Sequence, residues 1–545
     1  MKDAPGAGSW LAALKYDVPA SVVVFLVALP LCMAIAVGSG MPASAGLITG
    51  IIGGIVVGSI AGSPLQVSGP AAGLIALVAG ILTTYAEPAT RERLGIPDGV
   101  TAIAVLSVIL MIAGGIQVAV GALGLARYCR AVTPAVIEAL LAGIGLLIMA
   151  QQFHVLMDVR PASEGIPNLI HVPVSIGKLI ANEAEANPNA AIVGAMTIAV
   201  IVAWGWLHKA MASARPGSVL GILAFVPGSL LGVIAACIVA QLMPWQPNTV
   251  IVPDNFSEAV TWPNLDAFQF AIKPETATEI WTSAALMAFI ASAESLLCAA
   301  AVDKLHDGPR TNYNQELVAQ GIGNMLCALL GGVPMTGVIA RSGANLDAKA
   351  KSRMSALLHG VWMLLLVLLA PWLLSYVPMA ALAGVLLCVG WKLLGIDVDF
   401  FKFKVDFKVI KKLWSASGFE LGVYVLTVLS IVALGVKGVL IGVVLAFIKQ
   451  IFYAVFPPLH IRVEQVAQQL TIIHLEGPAT FGRVPQLAAE LEKQPVVPEI
   501  QIDVSKVSSI DHACLEVLQD WAKQREDKGA VVKVDWDVLK ARFQA

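Results

Sequence analysis

Two charges stand inside apolar stretches of this sequence. Glu294 lies near the middle of residues 280–302, a run with no other charged side chain. An ionised carboxylate there is costly unless it is paired, hydrated or protonated, so it marks a coupling or substrate-binding role. Arg341, flanked by Ala340 and Ser342, sits within a short apolar segment, where a buried guanidinium selects negative charge. Each half of the chain also contains one unusually short hydrophobic segment at its third position, preceded by a stretch rich in glycine and proline: Ala61-Gly62-Ser63-Pro64-Leu65-Gln66-Val67-Ser68-Gly69-Pro70 and Gly331-Gly332-Val333-Pro334-Met335-Thr336-Gly337. Glycine and proline interrupt helices, and non-helical backbone at membrane depth is tolerated only where protein buries it or it lines a cavity. Half-helices starting near Ser68 and Thr336 would aim free N–H groups and positive dipole ends at one place, and such a place prefers an anion.

The elements that must position these residues are membrane spans. The chain has 545 residues, 57% hydrophobic and 13% charged, with a mean hydropathy of +0.80, whereas a soluble protein is roughly a quarter charged. Apolar runs near 20–38, 44–62, 68–84, 100–124, 132–153, 189–207 and 217–242 predict about seven spans of about 20 residues. A polar stretch follows from Pro244 to Thr276. Runs near 278–302, 313–331, 336–349, 354–377, 379–395, 417–435 and 437–456 then predict about seven more, about fourteen in all. With the N-terminus inside, Arg127, Arg130, Lys209, Arg215, Lys304, Arg310, Lys349, Lys351, Arg353 and the cluster Lys402, Lys404, Lys408, Lys411 and Lys412 all face the cytoplasm. Outer loops keep mainly Arg91, Arg93, Arg160, Lys178, Lys273 and Lys437. An odd number of spans per half inverts the second half relative to the first, and paired interruptions at the third span of each half point to a transporter binding site.

Other features are bland. A net charge of -2 with no basic stripe excludes nucleic acid as a partner. Seven cysteines, Cys32, Cys129, Cys237, Cys298, Cys327, Cys388 and Cys514, show no CxxC pair or ligand spacing and read as small packing residues. Asp17 and Pro19 before the first run argue for a first span rather than a removable signal peptide. Glu138, close to Arg127 and Arg130, reads as an interfacial ion pair. Asn314, Asn324 and His359 read as helix-to-helix hydrogen-bonding groups. No nucleophile motif or His/Cys/carboxylate cluster supports an enzyme. In the tail, residues 470–475, 500–504 and 531–534 read as strands and 484–493 and 514–528 as amphipathic helices, which makes a small α/β domain.

Taken together, the motifs resemble the SulP (solute carrier 26) anion transporters over nearly the full chain. The carrying residues are Asp17-Val18-Pro19-Ala20 with Ala28-Leu29-Pro30, Gln66-Val67-Ser68-Gly69-Pro70 and Ala293-Glu294-Ser295. Further on come Asn314-Gln315-Glu316-Leu317 with Gln320-Gly321-Ile322-Gly323-Asn324, and the second interruption followed by Ala340-Arg341-Ser342. The tail is similar to a STAS domain through Asp503-Val504-Ser505 and Ile510-Asp511. The serine phosphorylated in bacterial anti-sigma antagonists aligns with His512 or Ala513, so phosphorylation there is not expected.

The resemblance implies an all-α polytopic fold of fourteen helices in a seven-plus-seven inverted repeat, plus the α/β STAS domain. Its boundaries would be a cytoplasmic N-terminus at 1–19, a transporter domain at 20–456 and a STAS domain at 460–545. Core helices 1–4 and 8–11 would move against gate helices 5–7 and 12–14, usually in a homodimer in the inner membrane, with both termini cytoplasmic. It places Ser68, Gly69, Ala71, Ala72, Val338, Ile339, Arg341 and Ser342 around the anion, with Glu294 and Cys298 at the coupling position. Sodium-coupled relatives carry a hydroxyl where this chain has Cys298, and a small residue where it has Arg341, so coupling to Na+ near Glu294 or to protons both stay open. No other cofactor is expected. The implied activity is bicarbonate uptake by alternating access. Sulfate or dicarboxylate proton symport, chloride/bicarbonate exchange and an anion channel are the alternatives, and the STAS domain could bind a cytoplasmic partner.

Overall fold

The computed structural model describes residues 7–126, 134–161, 165–181, 186–211, 226–243, 247–251, 265–271, 273–306, 310–399, 404–407, 418–434, 459–467, 470–479, 483–494, 497–510, 512–527 and 529–543, with isolated positions between them. The chain divides into two compact units, Met1–Leu413 with Phe419–Gly442, and Trp414–Gly418 with Val443–Ala545.

In the first unit the opening half runs α1 (Ala7–Gly38), α2 (Ala43–Ile60), the strand β1 (Ser68–Pro70), α3 (Ile75–Ala86), α4 (Pro88–Leu94), α5 (Ala102–Ala122), α6 (Pro134–Val155), α7 (Gly165–Ile180), α8 (Pro188–Met211) and α9 (Gly228–Leu242). After the short α10 (Leu265–Ala271), the closing half runs α11 (Pro274–Lys304), α12 (Tyr313–Leu330), β2 (Met335–Gly337), α13 (Ile339–Asp347), α14 (Met354–Leu369), α15 (Met379–Leu393), the hairpin β3 (Ile396–Asp399) and β4 (Lys404–Phe407), and α16 (Gly418–Leu434). Six described helices are long and apolar enough to cross a membrane, and a pair bent by 72° at Glu87 makes a seventh. The remaining apolar helices of this unit are shorter, at 10–17 residues. Apart from isolated positions, the last expected span near 437–456 lies outside the described residues, as do the loop charges Arg127, Arg130, Arg215, Lys402, Lys408, Lys412 and Lys437.

Close backbone contacts repeat as an inverted repeat requires. A Cβ on Gly114 of α5 would stand 2.7 Å from the Gly321 carbonyl oxygen of α12, and one on Gly321 would stand 2.6 Å from the Gly114 oxygen. The second and fourth helices of the opposite halves meet the same way, with Gly54 of α2 against the Gly360 backbone of α14 at 2.6 Å. Gly145 of α6 and Gly390 of α15, the fifth helices of the two halves, oppose each other's carbonyls at 2.8 and 2.9 Å. Small residues let helices approach this closely where no water drives association.

The helix α7 went unforeseen. α7 carries its polar groups inward, with Asn168 and Ser175 buried and both ring nitrogens of His154 engaged, Nδ1 with Ser175 Oγ at 2.7 Å and Nε2 with the Asn168 carbonyl at 2.9 Å. Its Ile166, Ile170, Val174 and Ile180 are exposed, an inside-out pattern that suits lipid rather than water.

The second unit is a four-stranded sheet in the order β5 (His460–Ala467), β6 (Leu470–Ala479), β7 (Glu499–Ile510), β8 (Val531–Val534), with α17 (Val484–Glu492), α18 (His512–Glu526) and α19 (Trp536–Phe543). β5 pairs antiparallel with β6, whereas β6, β7 and β8 run parallel. Ile473, Leu475, Leu487, Ile500, Ile502, Leu518 and Trp521 form its core. The Asp503-Val504-Ser505 motif lies within β7, at a register shift of its pairing with β6. The Ser505 hydroxyl and N–H and then His474, whose Nδ1 lies 2.8 Å from the carboxylate, hold the Asp503 carboxyl down at about 2. That stabilising contribution is present above the ordinary carboxylate pKa and is lost as pH falls toward 2.

Candidate anion site

The two interruptions meet. β1 and β2 pair antiparallel with Ser68 opposite Gly337, Gly69 opposite Thr336 and Pro70 opposite Met335. Val338 N donates to the Val67 carbonyl at 2.9 Å, and Ala71 N donates to the Pro334 carbonyl at 3.1 Å, extending the ladder at both ends. The pairing consumes the residues expected to begin the half-helices. A 3-10 turn over Ala72–Leu74 therefore leads into α3, and α13 begins at Ile339 rather than near Thr336. Arg341 thus lies in the first turn of its helix, among the N–H groups that have no partner within the helix.

Alternation along a strand gives this crossing two sides. Ser68 points toward α12, where its Oγ accepts from Gln320 Nε2 at 2.7 Å. The fully buried Glu316 accepts from Gln320 Nε2 at 2.8 Å, Gln66 Nε2 at 2.8 Å and Ser63 N at 2.9 Å. Asn324 holds the Met335 peptide at both ends. Glu316, Gln320 and Asn324 recur every fourth residue, a polar stripe along one helix face that brackets the crossing.

Orphaned polar atoms gather on the other side. A Cβ on Gly69 would lie 1.8 Å from Arg341 Nη1. Arg341 is fully buried, and its Nε, Nη1 and Nη2 have no hydrogen-bond partner among the described residues, with Cys32 of α1 and His359 of α14 in electrostatic reach. Thr336, opposite Gly69, faces the Glu294 carboxylate, and Gly73 of the 3-10 turn lies against the same group. Thr336 Oγ1 and Glu294 Oε2 are likewise buried without a partner among the described residues. Buried polar groups are ordinarily satisfied, so such a cluster marks a place for a ligand or ordered water.

The structure separates the expected residues. Gly69 and Arg341 come together, and so do Glu294, Thr336 and the turn at Ala72–Leu74. Arg341 and Glu294 do not bond one another. Ala71 is buried, Ala72 and Val338 are half-buried, and Ile339 is 55% exposed at the helix start. The Ser68 and Ser342 hydroxyls belong to the framework: Ser342 Oγ accepts from Val67 N at 2.9 Å, donates to the Val338 carbonyl at 2.8 Å and lies 3.6 Å from Cys298 Sγ. Glu138 faces Tyr424 of α16, and the arginines expected beside it lie outside the described residues. Thr336, Gly73 and the acid–amide stripe of α12 went unrecognised as parts of the site; the four-residue spacing of polar groups on a span was their signal.

Gly69 leaves room for the guanidinium, so Gly69→Ala should displace Arg341. Uptake kinetics should show a KM raised by about tenfold or more, since displacements of about 1 Å carry such costs.

The fold and this crossing define a multi-pass membrane transporter in which two broken helices meet. The chain belongs to the sulfate permease family, whose model matches residues 14–427. It is 27% identical over 492 residues to the putative sulfate transporter YvdB of Bacillus subtilis (strain 168), covering 88% of this chain and 83% of that one. It is 24% identical over 441 residues to the bicarbonate transporter BicA of Picosynechococcus sp., covering 79% and 70%. Among solved structures, the transmembrane domain of a cyanobacterial bicarbonate transporter BicA matches with a TM-score of 0.61 at 21% identity, over 80% of this chain and 96% of that one. Murine solute carrier 26 family member A9, an anion transporter in the inward-facing state, matches with a TM-score of 0.64 at 17% identity, over 95% and 85%. The protein is an anion transporter of this family and not an enzyme.

Proposed function

We propose that the chain imports bicarbonate by alternating access, with the anion at the β1–β2 crossing and its entry coupled to a cation through Glu294. One observation carries the reading: the buried nitrogens of Arg341 make no hydrogen bond among the described residues beside two helix N-termini, while Thr336 and Glu294 line the same side of the crossing. A guanidinium presents a planar fork of donors that matches the two oxygens of a carboxylate-like anion. Ala72, Gly73, Ile339 and Ala340 would supply backbone N–H groups, and Gly69 the space. The Ser68 and Ser342 hydroxyls are engaged with Gln320, Val67 and Val338 of the surrounding framework.

Cys298 supports proton coupling over sodium. Sodium is a hard cation suited to oxygen ligands, and a thiol stands at the coupling position. Sulfate is the second reading, favoured by the relatives named as sulfate transporters. We further propose a homodimer in the inner membrane, cytoplasmic termini, a transporter domain over 20–456 and a STAS domain over 460–545 that regulates uptake or receives a cytoplasmic partner.

The test is uptake of radiolabelled bicarbonate, sulfate and succinate into proteoliposomes, with sodium and proton gradients imposed separately. Saturable bicarbonate uptake that follows the proton gradient is the expected result. Uptake of sulfate alone overturns the substrate, and flux that neither saturates nor follows a gradient makes the protein a channel.

A further inference from the structure

We propose that Gln117 is a positioning residue of the transport site, setting where Thr336 stands relative to Glu294. The inference rests on reading Glu294, Thr336 and Arg341 as the site. Gln117 lies on α5, an element outside both broken helices, and it is 1% exposed. Its Nε2 donates to Ser292 Oγ of α11 at 3.3 Å, and its Oε1 accepts from Asn324 Nδ2 of α12 at 2.8 Å. Asn324 in turn grips β2: Met335 N donates to its Oδ1 at 2.8 Å, and its Nδ2 donates to the Met335 carbonyl at 3.1 Å.

The contacts close a ring. Ser292 stands two residues before Glu294, and Met335 stands one residue before Thr336. Between these ties Thr336 faces the Glu294 carboxylate without a hydrogen bond of its own among the described residues, and the bond from Gly337 to Ser295 closes the circuit. On the far flank, Gly337 N donates to Ser295 Oγ at 3.2 Å, so β2 is tied to α11 directly on one side of Thr336 and through Gln117 on the other. A hydroxyl fixed between two such ties cannot slide along the helix that carries Glu294.

Packing alone does not account for a glutamine here. Around it α5 and α12 approach through Gly114, Gly121 and Gly321, and an apolar side chain of similar length would fill position 117. Burying an amide among apolar spans is unfavourable unless its bonds are made, and interhelical hydrogen bonds add little to membrane-protein stability. The gain from Gln117 therefore lies in register rather than in holding the helices together.

The experiment measures bicarbonate uptake by the full-length reconstituted chain carrying Gln117→Leu, Ser292→Ala, Thr336→Val, Glu294→Gln and the double variant Gln117→Leu/Thr336→Val. Gln117→Leu and Ser292→Ala should each raise KM about tenfold with kcat changed by less than about twofold, and the double variant should be no worse than Thr336→Val alone. If Gln117→Leu does not purify as a monodisperse protein, Ser292→Ala decides, because it cuts the same chain by removing one oxygen. A KM unchanged in Ser292→Ala while Thr336→Val raises it, or single effects that multiply in the double variant, overturns the proposal. Thr336→Val and Glu294→Gln both leaving uptake intact is a different result, and it overturns the site itself.

Discussion

Arg341→Met should abolish bicarbonate uptake while leaving the purified protein at least as heat-stable as the wild type. Most substitutions of a fully buried charged residue destabilise because they strand its partner. Arg341 has no hydrogen-bonded partner to strand among the described residues. A buried charge without a counter-ion is itself a cost of several kcal/mol, and an apolar side chain of similar length relieves it. The bound anion loses two charge-assisted hydrogen bonds of about 1.5–3 kcal/mol each, so a loss of about 100-fold or more in kcat/KM is expected. Thermal melting with and without bicarbonate separates the two effects. The wild type should melt higher as bicarbonate is added, because a ligand that binds only the folded state stabilises it, and Arg341→Met should show no such rise. Arg341→Lys keeps the charge and loses the fork, so it should restore part of the anion-dependent rise. A variant that unfolds on losing the guanidinium would make Arg341 a structural residue.

The same side chain shows how far the sequence reaches. That Arg341 and Glu294 need a reason to be in lipid follows from their apolar neighbours, and the paired glycine–proline stretches announce broken helices because those residues cannot propagate one. The register between the stretches was hidden. Three-residue strands carry no periodicity, and only the crossing shows that Ser68 turns toward α12 while Gly69 faces Arg341. For this reason the sequence could place Ser68 and Ser342 near the crossing but not show that their hydroxyls bond Gln320, Val67 and Val338, nor that the Thr336 side chain faces Glu294. Glu316 appeared only within a motif, since a sequence cannot show that three donors surround it. β5 escaped notice because His460, Arg462 and Glu464 alternate with the apolar residues of an edge strand and look like a linker.

Glu294→Gln should retain bicarbonate exchange and lose gradient-driven accumulation. In the structure the carboxylate lies beside Thr336 and Gly73, on the side of the crossing where Arg341 stands over Gly69, and no cation bonds it among the described residues. An ionised Glu294 would stand close to an arriving anion. Two like charges about 5 Å apart repel by about 3 kcal/mol at an effective dielectric constant of about 20, enough to weaken binding about 100-fold. On the proposed coupling, the anion enters readily only when a proton neutralises the acid, and the acid sheds that proton only once the anion has left. Such mutual dependence would make the proposed transport symport, with Arg341 supplying affinity and Glu294 supplying obligation. Glutamine is neutral at every pH, so the variant should bind bicarbonate without a proton. Counterflow between labelled and unlabelled bicarbonate should then proceed within about threefold of wild type, while a proton gradient no longer concentrates the label. Accumulation that still follows the imposed proton gradient would move the coupling site elsewhere, and loss of counterflow together with accumulation would assign Glu294 to holding the anion rather than to coupling its passage.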